Sequence, residues 1–232
     1  MLIAEQEWRC VTAAADALMV EFAPQIDLSI NAQVHRLARL IEVDGSPLIC
    51  EVVPSYRSLL IYYDVLHCAE AQVRSLLLPL IGQVLDESVS GALATQAMRG
   101  TLHQVEVCYA PDLGLDIVAV ADALGGSIDD VIRLHTAPEY HVYTLGFAPQ
   151  FAYLGDVDER LRLPRHATPR QKVPAGSVAI AGQQTAIYPQ ISPGGWQILG
   201  RTACIPTLKA GDRVRFVAIS AHDFAQLQGA QC

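Results

Sequence analysis

GSVAIAGQQTAIYPQISPGGWQILGRT (176–202) carries three short apolar runs, Ser177–Ala181, Thr185–Tyr188 and Trp196–Leu199, parted by Gly182-Gln183-Gln184 and by a Pro- and Gly-rich stretch from Pro189 to Gly195. Runs this short, rich in β-branched and aromatic residues and bounded by turn formers, read as strands rather than helices. Two more of the same kind flank them, Tyr140–Leu145 and Arg213–Ile219. Strands at such spacing predict a closed or nearly closed β-barrel.

Toward the N-terminus, Val105, Val107 and Tyr109 alternate as a further strand. A helix is expected over Asp116–Leu124, and another from Ser127, where Asp130 three positions on resembles a capping box with Asp in place of Glu. The stretch DESVSGALATQAMRGT (86–101) has no sustained apolar period, so the domain boundary is placed there, giving residues 1–88 and 89–232. In the first domain, Leu48–Val53 and Ser58–Tyr63 read as an antiparallel pair joined through Pro54-Ser55-Tyr56. Ile30, Val34, Leu37, Leu40 and Ile41 recur at helical spacing after a Ser29 cap. A second stripe, Val73 to Val84, contains Pro79, which is expected to kink or split its helix. With two short apolar segments between Trp8 and Phe22, the pattern is a ββαββα sandwich, and the fold class is α+β.

The chain has 232 residues, 51% hydrophobic and 17% charged, a composition that excludes disorder and coiled coil. Its net charge of −8 argues against nucleic acid and anionic membranes as partners. The opening MLIAEQEWRC has no basic n-region, and the longest apolar stretch, Ser75–Leu85, is too short to span a bilayer. Six cysteines without a CxxC pair read as reduced thiols. A cytoplasmic location follows as an expectation.

No phosphate loop, zinc helix, nucleophile elbow or dinucleotide fingerprint is present, and no metal site is expected. Three segments stand out instead. Arg160, Arg162, Arg165, Arg170 and Lys172 lie in a loop stiffened by Pro164, Pro169 and Pro174; guanidinium forks there suit a carboxylate or phosphate, or else balance Asp156, Asp158 and Glu159 in solvent. Ser192-Pro193-Gly194-Gly195-Trp196 permits close backbone approach, or is simply a barrel turn. Gly146–Leu154 brings aromatics directly after a strand, as pocket lining or as core. His135, His141 and His166 can transfer protons near neutral pH, though burial as structural imidazoles is the commoner fate.

Four stretches, PSYRSLLIYYD (54–64), GFAPQFAYLG (146–155), PRHATPRQKVPAGSVAIAGQQTAIYPQISPGGWQILGRT (164–202) and AGDRVRF (210–216), together resemble the B-subunit family of prokaryotic ATP-dependent 5-oxoprolinase. That family includes Kip-type inhibitors of a sporulation histidine kinase and is also labelled allophanate hydrolase subunit 1. The resemblance implies a cyclophilin-like barrel behind the α/β domain, and a non-autonomous enzyme subunit working with a cyclophilin-like C subunit and an A subunit. Together these open the lactam of 5-oxoproline, a small cyclic amide, to glutamate with ATP, and the nucleotide site is left open between this chain and a partner.

By the same resemblance Arg165, Arg170 and Arg201 meet carboxylate or phosphate, Gly194 and Gly195 form a close-approach loop, and Tyr153, Gln183 and Tyr188 make polar contacts. His135 and Tyr153 are the catalytic candidates. The arginine segment and the glycine turn are expected to face each other at one mouth of the barrel. Two departures are visible: the family has glycine where this chain has Gln150, and the stretch 203–212 is shorter. A kinase inhibitor and a urea carboxylase-related module are the other readings.

Overall fold

The computed structural model describes residues 8–89 and 100–230. The chain divides into two compact units, Met1–Arg99 and Gly100–Cys232. The break lies later than the sequence boundary at 88, and residues 90–99 between the two positions are outside the described ones.

In the first unit, β1 (Trp8–Ala14) and β2 (Ala17–Phe22) pair antiparallel. They are followed by α1 (Leu28–Asp44), β3 (Ile49–Pro54), β4 (Ser58–Tyr63) and α2 (Glu70–Val89). The sheet order is β1-β2-β4-β3, antiparallel throughout. Alternation sends Leu18, Val20 and Phe22 of β2 and Leu59, Ile61 and Tyr63 of β4 to one face, where Val34, Leu37 and Ile41 of α1 and Val73, Leu77 and Ile81 of α2 cover them.

Two local expectations are corrected. The cap of α1 is Asp27, not Ser29: the Asp27 carboxylate accepts from the Ser29 amide at 2.7 Å and the Ile30 amide at 3.4 Å, so Ser29 is a donor inside the first turn. Pro79 does not split α2, which runs unbroken for 20 residues. Pro79 is exposed, so solvent can satisfy the carbonyl that lacks its N–H, while Leu77 and Ile81 on the buried face hold the helix down.

The second unit runs β5 (Leu102–Cys108), α3 (Ile117–Leu124), α4 (Ile128–Thr136), β6 (Tyr140–Leu145), β7 (Ala152–Gly155) and a 3-10 turn at Glu159–Leu161. After the turn come β8 (Arg170–Val173), β9 (Ser177–Ala181), β10 (Gln184–Ile187), β11 (Ser192–Gly194), β12 (Gln197–Arg201), β13 (Arg213–Ile219) and α5 (Ala221–Gly229). Seven strands close a barrel in the order β10-β7-β6-β13-β5-β12-β9. All its pairs are antiparallel except β13 with β5, which run parallel from Arg213↔Leu102 to Ile219↔Cys108. The Ser127–Asp130 capping box starts α4 as expected. Outside the barrel, β8 and β11 form a separate two-stranded sheet.

Cys10, Cys50, Cys68 and Cys108 are free thiols, but Cys204 is disulfide-bonded, which corrects the expectation of six reduced cysteines. No helix among the described residues is long and apolar enough to cross a membrane.

Candidate functional site

The site is built on the outside of the barrel wall. Along β9, β10 and β12, Val178, Ile180, Ile187 and Leu199 point into the barrel core. The alternate residues Ala179, Ala181, Ala186 and Ile198 point outward into a second apolar cluster with Phe151, Val173, Tyr188 and Trp196. The β8–β11 sheet flanks this outer cluster, to which its Val173 belongs. The arginine segment and the glycine turn do meet: Gly194 is in register with Arg170, and the His166 amide donates to the Gly195 carbonyl at 2.7 Å. Their meeting place is the outer wall rather than a barrel mouth, because the small alanines face outward and leave room there.

Between these walls lies a cavity of about 230 Å³, lined by Phe147, Phe151, Tyr153, Arg165, Pro169, Tyr188 and the segment Pro193–Trp196. Phe151 sits edge-on to Tyr153, Tyr188 and Trp196, with ring centroids 4.9, 5.4 and 5.8 Å away. Such edge-to-face packing fixes an aromatic surface with little side-chain freedom left to lose on binding. The Arg165 guanidinium carbon stands 5.6 Å from the centre of the Trp196 ring, a cation–π arrangement that leaves its N–H fork available. Burial pushes the Tyr188 phenol up from its ordinary value against the Trp196 amide hydrogen bond, so it is neutral. Gly194 is required beside it, since a Cβ there would lie 2.2 Å from the Tyr188 hydroxyl.

The loop leading into β7 is held in an uncommon backbone form. Phe147 has φ 68° and Gln150 φ 65°, both in the left-handed region. At position 150, where the resemblance led to an expectation of glycine, this chain keeps a glycine-type conformation with a side chain attached. Phe147 is 66% exposed and leans edge-on against Phe151 at 5.3 Å, forming the outer lip of the cavity.

Of the residues expected from sequence, Tyr153, Arg165, Tyr188, Gly194 and Gly195 are gathered at this cavity. The others are not. Arg170 belongs to the adjoining β8, but its Nη2 is bound to Asp116 at 2.6 Å. Arg201 donates from Nε to the Ala175 carbonyl at 2.9 Å, which ties the β8–β9 turn to β12. Gln183 sits exposed in the tight β9–β10 turn, where its carbonyl accepts from the Val157 amide.

His135 is fully buried in the barrel. Tyr109 Oη is 2.8 Å from its Nδ1 and Thr185 Oγ1 is 3.0 Å from its Nε2, and the ring stacks on Phe216. Because Thr185 Oγ1 donates its proton to the Ala179 carbonyl, it accepts from His135 Nε2–H, and Tyr109 donates to Nδ1. Burial lowers the imidazole to about 3 and keeps His135 neutral, and it is not among the residues that line the aromatic cavity.

One residue that sequence reasoning passed over is central. Asp116, expected only as a helix start, is 5% exposed and makes no side-chain cap bond to α3. Its Oδ1 accepts from Arg170 and stands 3.2 Å from His166 Nε2, a distance for an ion pair but without hydrogen-bond alignment, while its Oδ2 accepts from the Ile198 amide at 2.7 Å. Burial alone would raise this carboxyl. Arg170, the Ile198 amide and His166 outweigh that and hold it below its ordinary value.

Over residues 8–206 the chain matches the family model described as carboxyltransferase domain, subdomain C and D. It is 36% identical over 219 residues to the B subunit of the 5-oxoprolinase of Bacillus subtilis (strain 168), covering 90% of this chain and 91% of that one. The crystal structure of TTHA0988 superposes with a TM-score of 0.74 at 33% identity; 88% of this chain is covered, and it spans 40% of that longer chain. The urea amidolyase of K. lactis, at 19% identity and a TM-score of 0.75, covers 97% of this chain and 15% of its own, and shares the fold alone.

Proposed function

The chain belongs to the carboxyltransferase subdomain C and D family, among its 5-oxoprolinase B subunits, and from that premise we propose that it is the non-autonomous subunit of a cytoplasmic complex that opens the lactam of 5-oxoproline to glutamate at the expense of ATP. Its partners in this reading are a cyclophilin-like C subunit and an A subunit.

The observation that carries the reading is a single guanidinium, Arg165, poised over Trp196 in a cavity whose other side chains are aromatic or proline. A small ring bearing one carboxylate matches that surface: the ring lies on Trp196 and Tyr153, and the carboxylate takes the Arg165 fork. A lactam is resonance-stabilised and resists water, so its carbonyl carbon must be made a better electrophile, as phosphoryl transfer from ATP to the lactam oxygen does; water then adds at that carbon and the ring C–N bond breaks with the nitrogen leaving as the amine. The sequence carries no phosphate loop, and in this reading a partner subunit supplies the nucleotide while this chain binds and orients the cyclic amide.

The test is to co-express the chain with its partner subunits and follow ATP-dependent glutamate release. Arg165→Gln removes a charge-assisted contact worth about 1.5–3 kcal/mol, so kcat/KM for 5-oxoproline is expected to fall about 10- to 150-fold. Unchanged turnover in that variant, or no glutamate from the assembled wild-type complex, overturns the proposal.

A further inference from the structure

The two walls of the aromatic cavity come from segments distant in sequence, and one carboxylate grips both. On one side, Arg165 and Pro169 line the cavity and are directly followed in the chain by His166 and Arg170, whose Nε2 and Nη2 stand 3.2 and 2.6 Å from Asp116 Oδ1. On the other side, Trp196 lines it two residues before Ile198, whose amide donates to Asp116 Oδ2 and whose carbonyl accepts from the Asp116 amide at 2.9 Å. We propose that Asp116 is the positioning residue of this cavity, clamping the Arg165–Arg170 segment to the barrel wall so that the Arg165 guanidinium is held over Trp196. It reaches no ligand itself and acts through Arg170, His166 and Ile198.

Three other ties cross this seam among the described residues. The His166 amide reaches the Gly195 carbonyl, Gln197 Nε2 donates to the Pro164 carbonyl at 2.9 Å, and β8 meets β11 at Ser192↔Val173 and Gly194↔Arg170 with an irregular register between them. Arg170 Nη1 and His166 Nε2 are buried without a hydrogen-bond partner, so neither side chain has a second anchor at those atoms. Arg170 is half-buried, and a guanidinium in that position whose counter-charge is removed turns toward solvent. Loss of the Asp116 charge therefore frees the flap that carries Arg165, while the barrel strands keep their own ladders.

The kinetic arm of the test rests on the cavity being the 5-oxoproline site; the structural arm does not. Amide hydrogen exchange is measured on the full chain for the wild type, Asp116→Asn, Arg170→Gln and the double variant. Acrylamide quenching of Trp196 is read in a Trp8→Phe background. In Asp116→Asn, exchange over 166–173 and 192–198 is expected to rise at least tenfold and Trp196 to become quenchable, with β5, β6 and β13 unchanged. Arg170→Gln moves the same peptides less, and the double variant is no worse than Asp116→Asn, because both break one contact.

In the assembled complex, KM for 5-oxoproline rises more than kcat falls. Exchange rising equally across all barrel strands, an unmoved flap, or fully additive variants each overturns the proposal; should Asp116→Asn fail to fold, Arg170→Gln alone decides it. A complex inactive on 5-oxoproline whose flap still responds to Asp116→Asn counts against the assigned reaction and leaves the clamp standing.

Discussion

The N-terminal unit and the barrel unit bury different chemistry. In the first, Leu18, Val20, Leu37, Ile61, Leu77 and their neighbours make an aliphatic core, and among the described residues Glu21 and Asn31 are its buried polar side chains. The barrel buries Asp116, His135, Thr185 and Asp212, among others, and each is bonded to elements far away in sequence. Asp212, for example, accepts from the Thr101 and Lys209 amides at 3.1 and 3.0 Å. A buried polar group is tolerated only when partnered, and a partnered one fixes position more tightly than apolar contact does. Among the described residues the barrel unit buries more such groups, and it is the unit on which the aromatic cavity lies.

The largest test of this contrast is Leu37→Ala. Leu37 is wholly buried, and its truncation should destabilise the N-terminal unit by about 2–5 kcal/mol. With Trp8 reporting on one unit and Trp196 on the other in single-tryptophan variants, urea unfolding should shift in the first signal alone. An equal shift in both would mean that the units unfold as one.

His135 offers the converse. Its folded-state value of about 3 lies below the ordinary 6.5, so between those two values the unfolded chain binds a proton that the folded barrel does not. Barrel stability should therefore fall as pH drops below 6.5, by about 1.4 kcal/mol per unit. Urea midpoints at Trp196 from pH 7 to pH 4 measure this slope, and His135→Gln should flatten it; the same slope in both proteins would refute the assignment.

A smaller effect is expected on the N-terminal surface. Arg36 grips Glu87 through Nε and Nη2 at 2.7 and 2.8 Å, and with Gln83 also donating, the carboxyl is lowered to about 2. A depressed acid stabilises above its unfolded value and ceases to do so as pH falls through its folded one. Glu87→Gln should thus cost about 0.2–1 kcal/mol at neutral pH and nothing near pH 2, checked by thermal melts at both. Smallest of all, Gln150→Gly relieves roughly 1–2 kcal/mol of left-handed strain and gives back about 0.5–1 in chain entropy, a net gain of about half a kcal/mol in urea titrations.

What could be read from the residues follows the range of the interaction. Tyr140–Leu145, Ser177–Ala181 and Arg213–Ile219 match their strands residue for residue, because alternation and turn residues act locally. The capping box at Ser127 spans three positions and is equally plain. Pro79 does not end its helix because its cost depends on which helix face meets solvent, a tertiary fact. Arg165, Gly194 and Tyr188 converge as the motifs imply, whereas Arg201 and Gln183 share the same motif but point their chemistry into turns. Asp116 leaves no local signal at all: its partners Arg170 and Ile198 are 54 and 82 residues away, and only the folded barrel places them together.

The parallel pairing of β13 with β5 sets an order of events during synthesis. All the described strands and helices of the N-terminal sandwich have been synthesised by residue 89. The barrel lays down its first stave at Leu102–Cys108 but cannot be hooped until Arg213–Ile219 arrives to lie along it. For about a hundred residues of translation its wall must wait open, its edges unpaired, long after the sandwich is finished.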